Sequence, residues 1–235
     1  TDVIAFGNGH GGARSLHMGG EAMRQAAHNL LAEARGRAAR LLQTAPDTLH
    51  YAGGRFALAD GQSVTLAELA AEEPPLEGEA RHALDLCTFP NGAHAAEVEV
   101  DPETGECTLC AYTAVDDYGR LLNPMLALGQ VQGGVVQGIG QALLEAIRYD
   151  PESGQLLTAG LMDYCLPRAS DLPALDISLR EDAPTEANGL GVKGTGQAGC
   201  IAAPQAVMAA IRDAVGAEIT MPATPEKLWA ALHGR

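Results

Sequence analysis

Three glycine- or glutamine-rich stretches hold the residues best suited to chemistry. Residues 194–199 read Gly194-x-Gly196-x-x-Gly199, the literal spacing of a dinucleotide-binding turn. That fingerprint needs a strand before it and an acidic residue about 20 positions beyond, closing a second strand. Neither is legible, because residues 188–193 (NGLGVK) read as a loop. A phosphate-binding P-loop fails too: Lys193 precedes the glycines and is not followed by Ser or Thr. A more general chemistry survives. A glycine-rich turn entering a helix aims several backbone N–H groups at one point, which suits a phosphate or a pterin; a plain structural turn is the alternative. Residues 7–15 (GNGHGGARS) repeat this logic ahead of a long helix. Gln130, Gln132, Gln137 and Gln141 punctuate an apolar, glycine-rich segment. Amides buried there would need partners, so they suggest a polar ligand, with solvent-facing amides as the alternative.

Metal chemistry has less support. Cys107-x-x-Cys110 has zinc or redox spacing but lies in an alternating strand, where positions three apart face opposite ways. No second Cys/His pair accompanies it, and the seven histidines, His10 and His17 included, are dispersed. Five cysteines form an odd, scattered set that reads as reduced thiols in a cytoplasmic-type protein.

Taken together, five stretches resemble one family in order and spacing. They are Thr1-Asp2 with residues 11–15 (GGARS), residues 89–101 (FPNGAHAAEVEVD), residues 117–124 (DYGRLLNP), residues 129–140 around Gln137, and residues 191–199 (GVKGTGQAG). The family is the molybdopterin-binding large subunit of molybdenum hydroxylases: xanthine dehydrogenase, aldehyde oxidase and aerobic carbon monoxide dehydrogenase. The resemblance implies oxidation of a carbon centre (aldehyde, N-heterocycle or carbon monoxide) with water-derived oxygen. It implies a molybdenum–molybdopterin cofactor, in the cytosine dinucleotide or a related form, with no protein side chain ligating the metal. By position, Gly12, Ala13, Arg14 and Ser15 resemble the loop lining metal and pterin, and Gln137 the glutamine reaching towards them. Lys193, Gly194, Thr195 and Gly196 resemble the loop whose backbone donors hold the pterin. Where the family carries a glutamate base, this chain has Gln197, an amide that orients a substrate but accepts no proton at ordinary pH. Tyr118 stands where many relatives have Cys. Iron–sulfur and FAD units are implied on other segments or chains, with the N-terminal half of the molybdenum subunit as a further partner, and no Cys cluster here could hold such a centre. The other reading is a non-catalytic fragment or scaffold that keeps the fold and binds partner chains.

These loops need elements to place them. Apolar positions recur at helical spacing between Gly20 and Pro46, with Arg35, Arg37 and Arg40 expected outward. Gly53-Gly54 predicts a hairpin turn between residues 48–52 and 55–59, and Thr65 with Glu68 a capping box. Residues 72–81 (EEPPLEGEAR) read as a linker or exposed loop. Asp-Pro-Glu-Thr-Gly at 101–105 and Asp-Pro-Glu-Ser-Gly at 150–154 each predict a hairpin, between 93–100 and 106–115 and between 146–149 and 155–158. Residues 125–147 predict a helix whose glycines imply close approach of another backbone or a cofactor. A strand follows at 175–179, then a helix opening at Pro204 and ending at Gly216, and a last one at Thr224-Pro225.

Interleaved hairpins and helices favour an α+β fold with mixed or antiparallel sheets. Residues 1–73 read as a first α+β segment, 74–86 as a linker, and 87–235 as a second segment with the glutamine–glycine helix and the cofactor loop. The 235 residues carry 30 acidic against 15 basic side chains, a net −15 that argues against nucleic acid or anionic membrane as partner. No apolar run is long enough to span a bilayer. The start at Thr1-Asp2-Val3, without Met or signal peptide, reads as a piece whose natural beginning lies upstream. Self-association, or binding of the missing half, is expected through the helix at 125–147, and a small molecule is the expected substrate.

Overall fold

The structure, a computed structural model, describes residue 7, residues 9–83 and residues 86–234. Thr1, Asp2 and Asn8 of the motifs above lie outside the described residues. The chain forms two compact units, Ser15–Asp85 with Asn188–Leu190, and Thr1–Arg14 with Leu86–Ala187 and Gly191–Arg235. The fold is α+β, and the described residues hold one antiparallel and one mixed three-stranded sheet.

In the first unit a π-helical turn, Ser15–Gly20, runs into α1 (Glu21–Leu41). Strands β1 (His50–Ala52), β2 (Arg55–Ala57) and β3 (Ser63–Thr65) pair antiparallel, and α2 (Leu66–Ala70) follows directly. Gly53 and Gly54 take φ of 55° and 76°, the mirror-image turn that Gly-Gly favours. Both halves of the Thr65–Glu68 capping box form, at 3.1 and 2.8 Å. Ala34, Ala38, Phe56, Val64 and Leu69 make the core.

The arginines differ from expectation. Arg40 is exposed, but Arg37 is buried and donates to the carbonyls of Pro74 (2.6 Å) and Pro75 (3.1 Å). Arg35 is half-buried, its guanidinium 5.5 Å from the centre of the Phe56 ring. Their alkyl stems cover apolar surface while their heads satisfy loop carbonyls. Residues 72–81 are accordingly a strap lying on α1: Asn29 donates to Glu79 O at 2.8 Å, and a Cβ on Gly78 would stand 2.3 Å from Ala26 O.

In the second unit β4 (Asn91–Val100) pairs antiparallel with β5 (Cys107–Asp117), which pairs parallel with β6 (Leu175–Arg180). Helices α3 (Pro124–Leu143), α4 (Ala198–Val215) and α5 (Pro225–Leu232) complete it. The glycines of α3 are explained by α4. A Cβ on Gly134 would lie 3.2 Å from Gly199 Cα, one on Gly138 2.6 Å from Ala203 Cβ, and one on Gly199 2.5 Å from Val131 O. The close backbone approach offsets the usual helix penalty of about 1 kcal/mol per glycine.

Three boundaries move. Helix α3 ends at Leu143 instead of 147. Helix α4 begins at Ala198, so Pro204 lies inside it, its ring against the notch at Gly138; that packing compensates the backbone hydrogen bond a proline forfeits. At 150–154 the expected turn closes, Gly154 N to Asp150 O at 2.9 Å, but its flanks form one bridge, Tyr149 to Leu156, and no strands. The same turn at 101–105 closes at 2.8 Å between full strands, because β5 has a third strand to pair with.

Candidate functional site

Two glycine loops from opposite ends of the sequence meet in the second unit. Gly12 and Ala13 are both left-handed, at φ 58° and 56°. The Ala13 methyl faces the other loop, where a Cβ on Gly194 would come within 2.7 Å of it and one on Gly196 within 3.3 Å. Only glycine at 194 admits this approach. Arg14 folds back, its Nε and Nη2 donating to Gly9 O at 3.3 and 3.1 Å. Ser15 opens the π-helical turn of the other unit.

Residues 191–193 are pinned along the end of β5. Arg120 N donates to Gly191 O and Lys193 N to Tyr118 O, both at 2.9 Å. Gly119, at φ 65°, allows this, since a Cβ there would sit 2.3 Å from Gly191 O. The Lys193 ammonium is buried and donates at 3.0 Å to both Asp117 Oδ1 and Asn91 Oδ1. Asp117 also accepts from Gly119 N (2.9 Å) and Ala183 N (3.0 Å). Burial alone would raise the Asp117 carboxyl, but these backbone donors and Lys193 outweigh it and hold it below its ordinary value.

Beside this lies a second buried network. His94 meets the Tyr112 hydroxyl at 2.7 Å and the Asp116 carboxylate at 3.1 Å, and the Tyr118 hydroxyl donates to Asp116 at 2.9 Å. Burial, then Asp116, pushes both tyrosines up, so they stay protonated. A Cβ on Gly92 would overlap Asp116 Oδ1 at 1.9 Å, so Asn91, Gly92 and His94 each have a physical reason within their motif. A cleft of about 270 Å³ is lined by Gly92, His94, Asp116, Ala198, Ile201 and Ala202. A larger cavity, about 440 Å³, lies at the other end of β5 among Cys107, Leu109, Leu143 and Pro173, away from both loops.

Gln197 is exposed at the N-cap of α4, and its side chain makes no capping bond. Its carbonyl accepts from Cys200 N and Ile201 N at 3.0 and 3.2 Å, which starts the helix. Helix α3 reaches this loop through Gln130, whose Nε2 donates to Gly196 O at 2.8 Å. Gln137, singled out by position, is exposed on α3 two turns further on. Sequence reasoning named Gln130 only as one of four glutamines and held Asn91 and Asp117 in its motifs without a role, and it missed Asp116. Polar residues within or next to the motif stretches were the available signal. Among the described residues no three His, Cys, Asp or Glu side chains converge as a metal site. Cys107 is half-buried, its thiol pushed up to about 11 by burial, while Cys110 is exposed.

Residues 1–173 match the family model of the molybdopterin cofactor-binding domain. The chain belongs to that family. It is 34% identical, over 100% of its length, to the 6-hydroxypseudooxynicotine dehydrogenase complex subunit gamma of Paenarthrobacter nicotinovorans, and covers 31% of that protein. It is 30% identical to the carbon monoxide dehydrogenase large chain of Hydrogenophaga pseudoflava, covering 99% of this chain and 30% of the relative. Among solved structures, quinoline 2-oxidoreductase from Pseudomonas putida 86 superposes with TM-score 0.86 at 32% identity, over 100% of this chain and 32% of that one. The Cu,Mo-CO dehydrogenase superposes at 0.87 and 29% identity, over 99% and 31%. The chain therefore spans about a third of the length of these curated relatives.

Proposed function

We propose that the chain is the C-terminal, pterin-gripping part of a molybdenum hydroxylase large subunit that oxidises a carbon centre with water-derived oxygen. The observation that carries this is the seating of Ala13 on Gly194 and Gly196 at the start of α4. A Cβ at 194 would fill that cradle, and the exposed backbone from Gly196 to Gln197 opens onto the positive end of an 18-residue helix. Such a surface fits an anionic pterin. Gly12, Ala13, Arg14, Thr195 and Gly196 would line the group, held in register by Gln130; Ser15 and Gln137 keep the roles the resemblance implies. Lys193 belongs to the loop, but its N–H is already taken by Tyr118 O.

When bound, the molybdenum–pterin group, in its cytosine dinucleotide form, supplies the redox centre that takes electrons from the substrate carbon. The chain's own contribution is to bind, orient and exclude. The Gln197 amide donates to and accepts from a substrate, but its neutral oxygen is no base at ordinary pH. Lack of a positioned base typically costs about 10²–10⁴-fold in rate. Iron–sulfur and flavin partners carry electrons onward, and the unpaired thiols suit a cytoplasmic setting. Partner surface is at hand in Met125 and Leu126 of α3, 75% and 65% exposed.

Gln197 also favours a second reading, a cofactor-free scaffold in the same assembly. Co-expression with the rest of the large subunit separates the two: molybdenum near one per chain supports the cofactor reading, and none supports the scaffold. The isolated chain is expected to hold little metal, since the rest of the subunit supplies the other half of the grip. In the full assembly Gln197→Glu should raise turnover of a simple aldehyde or heterocycle about tenfold or more. Its rate should climb as pH rises through the new carboxyl's pKa, whereas Gln197→Ala gains nothing.

A further inference from the structure

A lysine beside a glycine-rich anion cradle is expected to point its charge at the ligand. Lys193 does the opposite. Its side chain is 8% exposed and is consumed inside the chain, 3.0 Å from Asp117 Oδ1 at the end of β5 and 3.0 Å from Asn91 Oδ1 at the start of β4. Asp117, 7% exposed, already takes two backbone N–H groups, so Lys193 supplies the charge that neutralises it. Breaking a buried pair by removing one partner leaves an uncompensated charge that draws in water or moves the chain. Here the chain that would move is residues 191–193 and the 118–120 backbone bonded to it. Immediately beyond stand Gly194, Gly196 and Gln197.

We propose that Lys193 is a positioning residue: its ammonium, clamped between Asp117 and Asn91, sets where the Gly194–Gln197 backbone stands for an anionic pterin. The role rests on the cofactor reading of that loop. It differs from ligand contact, because the lysine acts through strand ends and not through the ligand's charge.

Amide exchange on the chain as it stands tests the clamp without cofactor, and molybdenum content of the full assembly tests what the clamp serves. In Lys193→Met the amides of Arg120 and Lys193's replacement should exchange about tenfold faster, while Val207 and Ile211 in α4 keep their rates. Lys193→Arg, which keeps the charge facing Asp117, should recover most of the protection. Asn91→Ala, at an exposed position, removes one acceptor and should speed the same amides about threefold. Molybdenum in the full assembly should fall in Lys193→Met and return in Lys193→Arg. Exchange that rises evenly over all amides, or not at all, overturns the positioning role. Should Lys193→Met fail to fold, unchanged exchange in Asn91→Ala overturns it equally. Local loosening with full molybdenum keeps the clamp and overturns the cofactor reading beneath it.

Discussion

The two units bury charge for different ends. In Ser15–Asp85, Arg37 and Asn29 staple a polar strap onto α1, and Glu21 pairs with Arg24 at 2.7 Å on the same helix. Those groups hold a small, alanine-rich core covered. In the sheet-bearing unit, buried charge stands at strand ends beside a glycine loop, while the core closes through glycine-to-glycine contact of α3 and α4. One unit uses side chains reaching carbonyls to make up for little apolar area; the other brings backbones together and uses its charges to place a loop. The same residue types therefore carry different meanings, and the surroundings decide which.

The contrast is broken most sharply at Gly199. Because Val131 O would stand 2.5 Å from its Cβ, Gly199→Val forces backbone apart and should cost about 3 kcal/mol or prevent folding, as urea unfolding reads. On the other side, Arg37→Met keeps the stem and abandons the Pro74 and Pro75 carbonyls. A loss of about 1–3 kcal/mol is expected, with the amide-exchange change concentrated in α1. An equal response in α4 would erase the distinction between stapled and backbone-packed units.

Acid titration sharpens the comparison further. The hydrogen bonds from Arg24 hold Glu21 down to about 2, below its ordinary 4.5. A depressed carboxyl contributes stability above its unfolded pKa and loses it as pH falls through the folded one, so this contribution should drain away between about pH 4.5 and 2. Glu21→Gln should flatten that part of the acid limb while leaving the share due to Asp117, which is also lowered. An unchanged slope would place the acid sensitivity elsewhere. The smallest effect is expected at Gly133, one residue from the contact at Gly134 but facing open space. Gly133→Ala should stabilise the chain by about 0.5–1 kcal/mol, since only the helix penalty changes.

Elements closed by neighbours in the chain are legible from residue types alone. The Gly53-Gly54 turn, the Thr65–Glu68 box and the Asp101–Gly105 turn each satisfy their backbone groups within a few residues, so type and spacing suffice. The glycine loops are legible from their residue types, and so is their order along the family pattern. What those residues do once folded is not. Arg37 and Arg40 lie three positions apart on α1, yet one is buried because a strap from 37 residues away brings it carbonyls. Pro204 reads as a helix start until Gly138 offers its ring a notch. Lys193 reads as one of a run of backbone donors, and only the fold shows its ammonium taken by Asp117, 76 positions earlier. Local hydrogen-bond closure is written in adjacent residues, whereas desolvation, charge pairing and backbone approach depend on partners that only the folded chain brings within reach.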